Sequence, residues 1–121
     1  MITGVVRLNE ARVRLSVNGR LSKHQIETVI DTGFTASLSL PPDVIRKLGL
    51  KWRRVERSIL ADGSECLVDV FEGSVEWDGK TRRISIDEAD TDPLIGMALL
   101  KGYELKMQIR SRGKVTIKRL R

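Results

Sequence analysis

The stretch IETVIDTGFTASLSLPP, Ile26–Pro42, sets an acidic residue and two small ones at the end of an apolar, strand-forming run that resumes almost at once. Val29 and Ile30 imply a strand buried on both faces, so the carboxyl of Asp31 emerges where the core ends and a tight loop begins. Gly33 lets the backbone bend and bring amide donors toward that carboxylate, and Thr32 offers a hydroxyl beside it. A carboxylate held in this way is either a turn-capping acid or a catalytic one. The tripeptide alone does not choose, since Asp-Thr-Gly arises by chance in about 2% of chains this long and both Asp and Gly are ordinary turn residues.

Outward from this loop the dominant period is two. Upstream, Val13, Leu15 and Val17 alternate with Arg12, Arg14 and Ser16, and Asn18-Gly19 supplies the φ > 0 residues of a tight hairpin turn into a strand over Leu21–Ile30. Downstream, a short strand over Ser37–Leu40 leads to Pro41 and Pro42, which open a helix over Asp43–Leu48 that Gly49 can end in the left-handed conformation. Two further hairpins turn at Ala61-Asp62-Gly63-Ser64, between long strands, and at Trp77-Asp78-Gly79, before a strand over Arg82–Ile86. Met97–Lys101 reads as one helical turn stopped by Gly102, and Tyr103, Leu105, Met107 and Ile109 share one side of the next strand. Ser111-Arg112-Gly113 then turns into a last strand carrying Val115 and Ile117. No repeat, linker or low-complexity segment interrupts the pattern, which predicts a mostly β domain with two short helices.

Composition narrows the function classes. The 121 residues suit one domain over 1–121, and 40% apolar with 31% charged residues is globular rather than disordered. No apolar run approaches the roughly 18 residues of a membrane span, and the N-terminal MITGVVRLNEARVRL has no signal-peptide core, so a cytoplasmic protein is expected. The single Cys66 and single His24 give neither an internal disulfide nor a metal-ligand spacing, so no cofactor is expected. Cys66 reads as a small apolar residue and His24 as a strand-surface one. The net charge is +6, and Lys101–Arg121 carries eight bases against Glu104 alone. Basic residues at solvent-facing strand positions usually serve solubility or guard edges, and base-stacking aromatics are scarce, so nucleic acid is disfavoured as a partner.

A second element lies about sixty residues beyond Asp31: Asp92-Pro93-Leu94-Ile95-Gly96-Met97-Ala98-Leu99-Leu100, two apolar residues and a glycine before a short amphipathic helix. Paired with the upstream apolar-Asp-Thr-Gly, it resembles the retropepsin-like aspartic proteases. The order agrees over most of the chain: N-terminal hairpin, Asp-Thr-Gly loop, β-hairpin flap, apolar-apolar-Gly, short helix. The small bacterial, single-domain branch is especially similar, with Phe34 after the Asp-Thr-Gly and Leu48-Gly49-Leu50 ending a proline-headed helix.

The resemblance implies a half-barrel with a flap hairpin that works as a homodimer. Aspartic proteolysis needs one carboxyl to deprotonate a water while another, still protonated, polarises the scissile carbonyl. Each chain offers one such loop, because Asp90-Thr91-Asp92 lacks the glycine and Asp62-Gly63-Ser64 sits at a hairpin tip. A two-fold homodimer placing Asp31 against its symmetry mate supplies both groups. The family pattern also implies that Thr32 braces the two loops, that Gly33 donates its amide toward the carboxylates, and that Ile95 and Gly96 pack beneath as support. Ala61, Asp62, Gly63 and Ser64 would be the flap tip, closing on an extended peptide or protein substrate. Retroviral members carry an arginine after the apolar-apolar-Gly and interleave both termini at the dimer, whereas this chain has Met97 and a basic C-terminus, Lys118-Arg119-Leu120-Arg121. Two other readings stand beside the endopeptidase: an inactive dimerisation or peptide-binding module of the same fold, and a basic β domain that binds nucleic acid or an acidic protein through its C-terminal strands.

Overall fold

A computed structural model describes residues 1–121. Ten strands and two helices follow the order β1 (Ile2–Arg7), β2 (Glu10–Asn18), β3 (Lys23–Ile30), β4 (Leu38–Leu40), α1 (Pro42–Leu48), β5 (Lys51–Ile59), β6 (Glu65–Trp77), β7 (Lys80–Glu88), β8 (Leu94–Ile95), α2 (Met97–Leu100), β9 (Tyr103–Met107) and β10 (Lys114–Arg119). No helix is long and apolar enough to cross a membrane.

The turns follow local chemistry with three exceptions. Asp78 and Gly79 take φ of 53° and 79°, the mirror-image turn that matches strand twist, and join β6 to β7. Gly63 sits at φ 86° at the β5–β6 tip. The first exception is Asn18-Gly19, where neither residue has positive φ. Asn18 instead pairs with Lys23, and the bend runs from Gly19 to Ser22, closed by a 2.9 Å bond from the Gly19 amide to the Ser22 carbonyl. Tertiary packing decides this. A Cβ on Gly19 would lie 2.0 Å from the Leu48 carbonyl oxygen, so the glycine is there to let the hairpin dock on the end of α1. The second exception is the turn between β1 and β2, made by Leu8 and Asn9 at φ 52° and 61°. Nothing in the sequence advertises a leucine in that conformation. The third is the Ser111-Arg112-Gly113 turn, where Arg112 and not the glycine is left-handed at φ 63°.

Helix α1 ends as its sequence predicts. Gly49 is left-handed at φ 68°, its amide bonds Arg46, and the Leu50 amide reaches back to Ile45, a Schellman end. Leu21 and Ser22 satisfy two further carbonyls of the last turn, those of Leu48 and Lys47. The helix is thereby fixed to the β2–β3 bend, and it buries Ile45 and Leu48.

The strands form one sheet in the order β5-β6-β7-β4-β8-β3-β2-β1-β10-β9, and an extra pairing of β6 with β2 (Val17↔Val75, Asn18↔Ser74) closes six of them into a barrel. Alternation fills the interior: Val13, Leu15 and Val17 from β2, Val75 and Trp77 from β6, Ile84 and Ile86 from β7, and Val115 and Ile117 from β10 join Leu38, Leu40, Ile95, Leu99 and Leu100 in one cluster of 19 buried residues. The C-terminal region departs from expectation at one point. Strand β9 stops at Met107, so Ile109 lies beyond it and is 70% exposed, while Tyr103 and Leu105 pack against the core. The β5–β6 hairpin stands off the barrel, with every residue of β5 except Ser58 exposed.

Candidate active site

Three strands of the barrel meet around Asp31. Strand β3 runs parallel to β8 (Val29↔Leu94, Ile30↔Ile95), and β8 runs antiparallel to β4 (Leu38↔Ile95). The loop from Asp31 to Ser37 leaves β3 on one side of β8 and returns as β4 on the other. Its backbone is stitched to the Leu94–Ala98 segment throughout. The Asp31 amide donates to the Ile95 carbonyl at 2.9 Å, and the amides of Gly96, Met97 and Ala98 donate to the carbonyls of Ser37, Phe34 and Ala36 at 3.0, 2.8 and 3.2 Å. Each bond satisfies a backbone group that the loop would otherwise strand near the core. The two segments singled out in the sequence, about sixty residues apart, are therefore one structural unit.

Gly96 is what permits it. Its φ of −109° is open to any residue, so the requirement is space: an added Cβ would lie 2.1 Å from the Ala36 carbonyl oxygen and 2.6 Å from the Phe34 ring. Ile95, fully buried, anchors the unit in the core. Gly33 plays a milder part than its place in the tripeptide implies. It has no positive φ, and its amide donates to Asp31 Oδ1 at 2.9 Å.

Asp31 is half-buried, and Thr32 and Gly33 are exposed. No cation pairs with the Asp31 carboxylate, and the Thr32 hydroxyl bonds nothing within the chain. Val29 and Ile30 are half-buried too, which corrects the expectation of a strand covered on both faces: Ile30 packs against the core, and the end of β3 lies open around the loop. Beside it is an apolar depression of about 390 Å³ lined by Thr32, Met97, Leu100, Tyr103 and Leu105 among others. A larger concavity of about 460 Å³ opens elsewhere, lined by Asn18, Arg20, Arg53, Glu72 and Arg83 and by no hydrophobic residue; Asp31 does not reach it.

The flap-tip residues Ala61, Asp62, Gly63 and Ser64 are all exposed at the far end of the β5–β6 hairpin. Asp62 Oδ1 accepts the Ser64 amide at 2.9 Å and the Ser64 hydroxyl at 2.5 Å. Those two donors, the hydroxyl first, hold the Asp62 carboxyl below the usual carboxylate range. Asp31 and Asp62 each accept an amide two residues on, so that bond does not separate their roles. Their settings do: Asp62 is a solvent-facing turn acid with its donors supplied locally, whereas Asp31 ends a strand locked into the barrel with a single donor.

Two features were not legible in the sequence. The carbonyls of Phe34, Ala36 and Ser37 carry the loop's attachment, and backbone acceptors leave no side-chain signature. Asp87 on β7 lies in register with Val70 of β6, which in turn faces Arg54 of β5, at the root of the flap. Burial, then the nearby Glu56, push its carboxyl above the ordinary range against the pull of Arg54. No group of three or more His, Cys, Asp or Glu residues is placed to hold a metal ion.

Comparison with solved structures gives a class for this architecture. The EIAV protease, solved in complex with the inhibitor HBY-793, superposes with a TM-score of 0.59 at 17% identity, over 79% of this chain and 92% of that one. The fold is retropepsin-like, mostly β with two short helices and a flap hairpin. No protein-family model matches the sequence, and no curated protein does.

Proposed function

We propose that residues 1–121 form a single-domain aspartic endopeptidase of the small bacterial retropepsin-like kind, cytoplasmic and active as a homodimer, with Asp31 of each subunit as the catalytic residue. The observation that carries the reading is the Asp31 carboxylate itself. It is half-buried, unpaired by any cation and held by one amide, at the end of a strand locked to Ile95 and Gly96, in a fold shared with an aspartic protease.

One such carboxylate per chain makes the partner part of the chemistry. Two carboxyls a few ångströms apart do not both ionise readily, so the pair holds one shared proton and titrates as a unit. The ionised member takes a proton from water as the water oxygen bonds to the scissile carbonyl carbon, and the protonated member gives its proton to the carbonyl oxygen. Collapse of the resulting diol breaks the C–N bond as the nitrogen takes up a proton. In this reading Thr32, exposed with a hydroxyl that bonds nothing within the chain, would bond the opposite loop, and Gly33 would orient the carboxylate through its amide. Ile95 and Gly96 support the loop from below. Ala61–Ser64 would close over an extended peptide and exclude water.

The test is Asp31→Asn. The isosteric amide keeps the Gly33 bond, so the melting temperature and the sedimentation behaviour should stay within error of the wild type, while cleavage of a broad peptide library in acidic buffer falls to background. Wild-type protein that dimerises yet cleaves nothing over an acidic-to-neutral series would leave a binding module of the same fold.

A further inference from the structure

Sheet β5-β6-β7-β4-β8-β3-β2-β1-β10-β9 has two open edges, β5 and β9. The terminal strands have none to spare, since β1 is flanked by β2 and β10, and β10 by β1 and β9. A dimer that interleaves the chain termini therefore lacks free strands in this molecule. The two open edges differ sharply in charge. Strand β5 carries Lys51, Arg53, Arg54 and Arg57 against Glu56 alone, a net of four minus one, +3, and a bulge breaks its register between Trp52 and Arg54. Strand β9 reads Tyr103-Glu104-Leu105-Lys106-Met107, with one acid and one base. Its backbone is paired with β10 on one side and with nothing on the other.

Resting on the paired-carboxyl reading above, we propose that the free edge of β9 is the dimer seam, pairing antiparallel with β9 of a second copy of this chain about Leu105. Antiparallel pairing of identical strands is two-fold by construction, so it closes at two subunits. Centred on Leu105, it sets Glu104 opposite Lys106 of the partner subunit and Lys106 opposite Glu104 of the partner subunit, two matched charge pairs from one short strand. Tyr103 falls opposite Met107 of the partner subunit. The same geometry on β5, centred on Val55, would match Arg54 with Glu56 but also stack Arg53 against Arg57 twice, on a strand whose ladder is already broken by the bulge. Position agrees with charge: Thr32 of the catalytic loop lines one apolar depression with Tyr103 and Leu105 of β9, so a seam on β9 adjoins the half-site it must complete. Met97, 48% exposed at the start of α2, and Met107, 37% exposed at the end of β9, add apolar surface along the same path.

The experiment is charge reversal and rescue. Lys106 is exposed, its in-register neighbour on β10 is the uncharged Thr116, and it shares a groove with Lys114, so Lys106→Glu does not cost the fold an ion pair. It sets Glu against Glu twice across the seam. With two opposite-charge contacts replaced by two like-charge ones, the dimer dissociation constant measured by sedimentation at low salt should rise about tenfold. Adding Glu104→Lys, with Lys118→Glu to keep opposite charges across β9 and β10 within each subunit, restores opposite charges at both seam contacts and should return the constant to within about threefold of wild type. Moderate salt should narrow the gap between the single and the compensated variant. A dimer unmoved by Lys106→Glu, or weakened further by the compensating changes, overturns the seam. If peptide cleavage and its loss in Asp31→Asn persist in that dimer, the protease reading survives with its interface elsewhere. A wild type that stays monomeric at working concentration removes both. Rescue of the dimer in a protein that cleaves nothing keeps the seam and removes the protease.

Discussion

Gly96 and Gly33 look alike in the sequence, each closing an apolar-led motif, but they make opposite demands on their surroundings. A methyl group at Gly96 would meet the Ala36 carbonyl oxygen and the Phe34 ring, both held by the bonds that attach the loop to α2. Gly96→Ala must push apart two ladder segments, and it is expected to cost about 3 kcal/mol in denaturant unfolding. At Gly33 the added carbon would meet only Asp31 Oδ1, at 3.2 Å, with nothing else within 4 Å. Gly33→Ala should therefore leave stability within about 1 kcal/mol of wild type while turning the carboxylate, so that its effect falls on peptide cleavage. Equal losses of stability in the two variants would count against this account. Asp31 could be singled out from sequence only through the pairing of its Asp-Thr-Gly with the downstream Leu94-Ile95-Gly96, since an acid and a glycine alone are ordinary turn residues. The reason for Gly96 could not, because the atoms it avoids belong to a loop about sixty residues upstream.

Among the elements, those whose turn residues state their own geometry were readable. Asp78-Gly79, Gly63 and the Gly49 helix end all have the positive φ that their residue types favour. Asn18-Gly19 misled because its glycine answers to the end of α1 rather than to the turn. The Leu8-Asn9 turn was silent for the opposite reason: strand pairing of β1 with β2 (Arg7↔Glu10) forces two left-handed residues, and the chain supplies a leucine. Leu8 is 87% exposed, so its side chain recovers little from packing while its backbone bears the strain of a left-handed L-residue. Leu8→Asn should thus stabilise the protein by about 1 kcal/mol, seen as a higher denaturation midpoint at unchanged slope. A lower midpoint would mean that Leu8 makes a contact the isolated chain does not show.

At the scale of the whole molecule, the alternation in β2, β7 and β10 told which residues face inward, but not that β6 would reach across to β2 and close the barrel. The β5–β6 hairpin that stands off this barrel has its root paired with β7, beside Asp87. The groups around this carboxyl are Val70 of β6 and Ser39 of β4 in register with it, the Ser39 hydroxyl being buried without a hydrogen-bond partner, and Glu56 and Arg54 on β5. Burial and the Glu56 charge raise its folded-state pKa above the unfolded value. For a group raised on folding, the favourable contribution is complete below the unfolded pKa and is lost as pH climbs through the folded one. Near neutral pH the ionised Asp87 therefore opposes folding, and on acidification it takes up a proton more readily in the folded protein than in the unfolded chain. Asp87→Asn mimics the protonated form at every pH. Its melting temperature should exceed that of wild type at pH 7, and the advantage should shrink steadily as the pH is lowered toward about 4, the ordinary carboxylate range. Thermal melts across that interval decide the matter, because an advantage that grows on acidification would require an Asp87 held ionised by Arg54, a flap root built on attraction rather than on a carboxyl kept partly out of water.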